Sequence, residues 1–98
     1  MQLQTEIVTN SRRYALKNLF VVNLSYLEDE GKVFAEHSTL PVHGYGETPQ
    51  EAILSFFESF DFQWRNLVEV SEDSLTSGGK RRREAMMGAV REVVTLDT

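Results

Sequence analysis

The stretch Gly44-Tyr45-Gly46-Glu47-Thr48-Pro49-Gln50-Glu51-Ala52 marks the point where an extended chain becomes a helix. Thr48 is spaced to accept the first orphan amide of a helix as its N-cap. Pro49 suits the first helical position, where no N–H is needed. Glu51 stands at N3 and completes a capping box. Gly44 and Gly46 provide the backbone freedom of a tight corner. The helix predicted from this corner runs over 48–69. At about 100° per residue, Ala52, Ile53, Phe56, Phe57, Phe60, Trp64, Leu67 and Val68 share one arc. Glu51, Glu58, Asp61, Arg65 and Glu69 fall opposite, with Asp61 and Arg65 one turn apart as an ion pair. The apolar arc is the expected core.

Working upstream, residues 14–27 carry the strongest strand pattern, with Leu16, Phe20, Val22, Leu24 and Tyr26 on the face expected to be buried. Residues 2–9 read as a shorter strand with Leu3, Thr5 and Ile7 on one side, joined through a turn at 10–13. Glu28-Asp29-Glu30-Gly31-Lys32 is a hairpin loop with Gly31 at positive φ. The return strand covers 33–40 and is ended, or confined to an edge, by Pro41. Downstream, 70–79 reads as a loop. A second helix is predicted over 78–94, with Ala85, Met86, Ala89, Val90, Val93 and Val94 as its apolar arc. Leu96-Asp97-Thr98 reads as a frayed tail. The expected fold class is α+β in a single domain, 1–98: a three-stranded antiparallel sheet, then a long helix packed on one face, then a second C-terminal helix.

Composition excludes several classes. The chain of 98 residues contains no cysteine, so it has no disulfide framework, thiolate metal site or cysteine nucleophile. This fits a reducing cytoplasm. No apolar run reaches the roughly 18 residues that span a bilayer, and Met1-Gln2-Leu3-Gln4, with no charged segment followed by an apolar one, is not expected to open a signal peptide. Net charge is −5. Residues 47–79 hold seven acidic groups against one basic, whereas 80–98 hold five basic against three acidic. An acidic whole disfavours non-specific nucleic-acid binding, in which phosphate contacts dominate affinity.

Chemistry-bearing patterns are few. His37 and His43 with Glu36 or Glu47 could form a metal site, but the spacing is not that of a metalloprotease, and edge-strand or loop histidines are the simpler reading. Glu28, Asp29 and Glu30 solvate a hairpin tip. No nucleophile elbow occurs. Phosphate binding at the Gly44–Thr48 corner is opposed by Pro49, which lacks an amide donor, and by the charge of Glu47 and Glu51. No catalytic, metal or cofactor residue is assigned, and the chain is read as no enzyme. Lys80, Arg81, Arg82 and Arg83 form a basic run that either contacts an acidic partner or RNA, or balances Glu69, Glu72 and Asp73. No aromatic interleaves it, which weakens single-stranded RNA binding. Leu54 and Phe62 lie off the core arc. They are either covered by the second helix or exposed at an interface. They stand two turns apart but about 80° apart in azimuth.

The order strand, acidic hairpin with Gly31, strand ending Leu40-Pro41, then Gly46-Glu47-Thr48, Glu51-Ala52 and a long helix resembles the HicB-like antitoxin superfamily, from about Phe20 to Leu67. In that family the common form is Leu-Pro-Gly, then Gly-Asp-Thr-x-x-Glu-Ala. The resemblance implies a small sheet backed by a helix. It also implies a dimer or tetramer that neutralises a small toxic ribonuclease, often with a separate C-terminal DNA-binding module. Val42-His43 departs from the pattern after Leu-Pro. Only Val68-Glu69-Val70 could supply the strand expected after the helix, and no helix-turn-helix or ribbon-helix-helix pattern follows. The expectation is a non-catalytic protein-interaction domain, a HicB-like antitoxin or orphan relative. It would associate as a homodimer through Leu54 and Phe62, or with a small basic toxin-like protein, in the cytoplasm and away from membranes. The alternative is an RNA-binding or regulatory module using Lys80 to Arg83, which leaves nucleic acid open.

Overall fold

The computed structural model describes residues 2–96. Its elements are β1 (Gln2–Val8), β2 (Arg12–Leu27), β3 (Lys32–Glu36), β4 (His43–Gly46), α1 (Pro49–Leu67), a 3-10 turn (Glu72–Ser74), α2 (Ser77–Ala89) and β5 (Val90–Thr95). All strand pairs are antiparallel. The α+β class is as expected, but the sheet has five strands rather than three. The tail residues 97–98 lie outside the described residues. Leu96 is tied down, its N–H donating to the Ser11 carbonyl at 2.8 Å.

β2 is the spine. β1 runs along one of its edges. The other edge is shared in tandem by β5, against residues 12–16, and β3, against residues 23–27. Alternation along β2 buries Tyr14, Leu16, Phe20 and Val22, and Leu24 packs against them. Tyr26, expected on this buried face, is 65% exposed: in its row α1 covers Val33 and Gly46 of β3 and β4 rather than the end of β2. Thr9 makes the first hairpin tight. Its hydroxyl accepts from the Ser11 and Arg12 amides at 3.3 and 3.2 Å, and its own N–H donates to the Arg12 carbonyl. The β2–β3 turn places Gly31 at φ 62°, where other residues are strained.

The return strand is shorter than predicted. β3 stops at Glu36, residues 37–42 form an irregular strap, and β4 pairs Gly44 with Ala35 and Tyr45 with Phe34. The two glycines therefore serve a different purpose from the tight corner expected of them. Neither has positive φ. They let α1 lie directly on β4: a Cβ at Gly44 would stand 2.3 Å from the Phe56 nitrogen, and one at Gly46 would stand 2.6 Å from the Ala52 nitrogen.

Thr48 caps α1 as predicted, accepting from the Glu51 amide at 3.1 Å, and its hydroxyl donates to the Glu51 carboxylate at 3.3 Å. Ala52, Phe56, Phe60, Trp64 and Leu67 are buried, with Ile53, Phe57 and Val68 packed beside them. Burying Phe56 and Phe60 stabilises the fold by roughly 1.5–3 kcal/mol each. Edge-to-face contacts tie Tyr14 to Phe60 at 5.2 Å and to Trp64 at 5.5 Å.

The C-terminal region corrects the predicted helix over 78–94. α2 is capped by Thr76, whose hydroxyl accepts from the Gly79 amide at 3.0 Å, and ends at Ala89. Val90, Val93, Val94 and Thr95 belong to β5, paired from Leu16↔Val90 to Arg12↔Thr95. β-branched residues suit a strand better than a helix, and the open edge of β2 offers them partners. The strand after the helix is thus β5. Val68-Glu69-Val70 instead forms the turn that follows α1, with Val68 as its C-cap and the Val68 amide donating to the Trp64 carbonyl.

Candidate interaction surface

Leu54 and Phe62 are 58% and 63% exposed, so α2 does not cover them. They do not form one patch. Leu54 borders a groove of about 530 Å³ with Val8, Thr9, Asn10, Ser11, Phe57, Glu58 and Asp61, and Phe62 lies outside it.

The groove ends in a polar clamp between β2 and α1. The Tyr14 hydroxyl donates to Asp61. Arg65 donates to Asp61 at 2.8 Å, which is the pair predicted from their spacing, and to the Ser11 hydroxyl at 3.2 Å. Arg12 makes a two-pronged bond to Glu69, one arm at 3.1 Å. Burial, then the bond to Asp61, holds Tyr14 protonated well above the ordinary tyrosine range. The bond to Glu69, then that to Tyr14, holds the Arg12 charge even more firmly than usual. Each charge here is matched, so the clamp is a fastening rather than a reactive centre.

Lys80, Arg81 and Arg82 are exposed, and Arg83 is half-buried. Steps of about 100° spread four consecutive side chains around the whole helix, so they do not make one basic face. Among the described residues none of them forms an ion pair. The expected partner Glu69 is occupied by Arg12. The Arg83 Nε is buried without a hydrogen-bond partner among the described residues.

A surface that the sequence did not reveal lies on the sheet side away from the helices. Both helices pack on the face of Tyr14, Leu16, Phe20 and Val22, in a single core that includes Met86. On the opposite side, register brings Ser25, Phe34 and Tyr45 into one row, and Asn23, Glu36 and His43 into the next. Phe34 meets Tyr45 edge-to-face at 5.1 Å and His43 at 5.8 Å. Tyr45 is 50% exposed. It also lines a cleft of about 640 Å³ with Tyr26, Leu27, Glu28, Asp29 and Glu30. An aromatic cluster with His43 and Tyr45 exposed and Phe34 half-buried is thereby continuous with the acidic hairpin tip. The only hint in the sequence was that Phe34 and Tyr45 alternate with the small core residues Ala35 and Gly44.

The two histidines do not come together, although His43 is paired in register with Glu36. His43 lies against Phe34, while His37 stacks on Phe20 at 4.2 Å. Among the described residues no group of three or more His, Asp or Glu could hold a metal ion. No helix among them is long and apolar enough to cross a membrane. Compared with known proteins, the chain matches no family model, no curated protein and no solved structure.

Proposed function

We propose that this chain is a non-catalytic protein-interaction domain of the cytoplasm, a HicB-like antitoxin or an orphan relative. It associates with itself or with a small basic protein. The observation that carries this reading is the position of Tyr45. It joins the half-buried Phe34 and the exposed His43 to the acidic hairpin tip. Exposed aromatics supply desolvation energy at interfaces, and a carboxylate rim steers a cationic partner. Arg or Lys side chains placed over Tyr26 or Tyr45 gain from the ring face as well. Leu54 and Phe62 offer a second apolar contact on α1.

The alternative, RNA binding through Lys80 to Arg83, is less well supported. Those cations radiate around α2, and phosphate recognition is favoured by charges converging on one groove. Sedimentation equilibrium of the purified chain, alone and with any small basic protein that proves to be encoded next to it, tests the proposal. Association is expected to weaken in Tyr45→Ala. For a basic partner it also weakens in the triple change Glu28→Gln, Asp29→Asn, Glu30→Gln. Phe62→Glu shows whether α1 takes part. A chain that stays monomeric and ignores the basic protein, but binds RNA with steep salt dependence, overturns the reading.

A further inference from the structure

The strap between β3 and β4 is pinned by its first residue. His37 Nδ1 accepts from the Thr39 and Leu40 amides, each at 3.1 Å, with the Thr39 hydroxyl at 3.3 Å. Two amide donors aimed at one ring nitrogen require a lone pair there. The bonding pattern thus assigns a neutral ring with its proton on Nε2. The ring stacks on Phe20, 28° from parallel. Phe20 in turn meets Phe56 and Phe60 in the core. Further along, Leu40 and Val42 are 8% and 1% exposed and anchor the strap from below.

We propose that His37 is an acid-released latch on the β3–β4 strap. A proton taken up on Nδ1 converts the shared acceptor into a donor that faces two other donors. Both amide bonds break, the imidazolium turns towards water, and residues 38–41 come free. Leu40 then loses its fixed seat, and the cleft beside it widens. That cleft, about 310 Å³, lies between the strap, Asn18 to Phe20 of β2, and Ala85, Gly88 and Ala89 of α2.

No charged side chain lines the cleft. The charged groups adjoining these walls in sequence are Glu36 on β3, Lys17 on β2, and Glu84 and Arg91 around the α2 wall. Burial lowers the titration of the imidazole. The two amide bonds, which only the neutral ring can accept, act in the same direction. The open strap therefore binds a proton more readily than the closed one. The latch is fully engaged above the ordinary histidine value near 6.5 and weakens as pH falls from there to the lowered value.

The test is NMR of the whole chain between pH 8 and 5. At pH 8 long-range ¹H–¹⁵N spectra should show the Nε2–H tautomer of His37. From about pH 6.5 down to the lower pH at which the ring itself titrates, the protection factors of the Thr39 and Leu40 amides should fall about tenfold per pH unit. His37→Asn supplies an acceptor without a titrating ring, so its strap should stay closed throughout. An Nδ1–H tautomer at pH 8 overturns the proposal. So does protection that stays flat between the ordinary histidine value and that of this ring, or an unchanged acid transition in His37→Asn. Should His37→Asn fail to fold, the two wild-type measurements still decide.

Discussion

The hydroxyl of Tyr14, whose residue is wholly buried, donates to the half-buried carboxylate of Asp61. This bond joins the beginning of β2 to the middle of α1 across 47 residues of chain. Everything between them, from the hairpin to β4, is enclosed by that closure. Two aromatic rings of α1, Phe60 and Trp64, press on the same tyrosine. The bond thus sets the height at which the helix sits on the sheet.

Tyr14→Phe removes the donor and keeps the ring. A hydrogen bond to a charged group contributes about 1.5–3 kcal/mol. Asp61 keeps its bond from Arg65, so the loss should lie near the lower figure, measured by urea unfolding at neutral pH. The pH dependence has a definite sign. Tyr14 titrates above its ordinary value, so its stabilisation is complete below about pH 10 and is lost as pH rises beyond that. The alkaline decline in stability should be visibly shallower in Tyr14→Phe. Parallel alkaline limbs in the two proteins would remove this account of the clamp.

Two glycines should respond in opposite directions. Gly44→Ala sets a methyl 2.3 Å from the Phe56 nitrogen and 2.4 Å from the Ala52 oxygen, both backbone atoms that move only with the whole helix. The cost should reach about 3 kcal/mol, at the upper end of overpacking effects. Gly88 lies within α2 with nothing within 4 Å of an added Cβ. Gly88→Ala should therefore stabilise the chain by about 0.5–1 kcal/mol. A Gly44→Ala protein of near-normal chemical stability would show that α1 does not rest on β4.

These positions also show where sequence reasoning holds and where it stops. α1 and β2 were legible because each is long and repeats one period, and because Thr48 and Pro49 mark the helix start. β5 was not. Met86, Ala89, Val90 and Val93 satisfy a helical spacing, and only the partner edge of β2 decides that the chain becomes a strand at Val90. β4 was hidden because glycines signal turns more often than close approach. Phe34 and Tyr45 became neighbours through register, which their own weak alternation does not specify. The acceptor role of His37 depends on the backbone of the two residues after Ser38. No side-chain pattern announces it.

Phe60 and Phe62 test the assignment of helix faces. Phe60 is 0% exposed, and Phe60→Ala should cost about 3–5 kcal/mol. Phe62 is 63% exposed, so Phe62→Glu should change stability by no more than about 0.5 kcal/mol, even if it alters association. Thermal unfolding of both variants at low concentration separates the effects. A strongly destabilised Phe62→Glu would place that ring in a core that these contacts do not include.

Ser55 guards the outer edge of the sheet. Its hydroxyl accepts from the Tyr45 amide at 3.1 Å. That amide therefore turns away from β3 and towards α1. An unpaired N–H on an edge strand invites pairing with another chain, and here a helix side chain occupies it. Hydrogen exchange should find the Tyr45 amide protected despite its place on the outermost strand. In Ser55→Ala the amide loses its acceptor, and a bond worth about 1 kcal/mol corresponds to roughly fivefold to tenfold faster exchange. The same variant frees one edge donor, so any strand-mediated self-association should strengthen rather than weaken. If the Tyr45 amide exchanges as fast in the wild-type chain as in Ser55→Ala, the hydroxyl does not hold it, and β4 is an open edge.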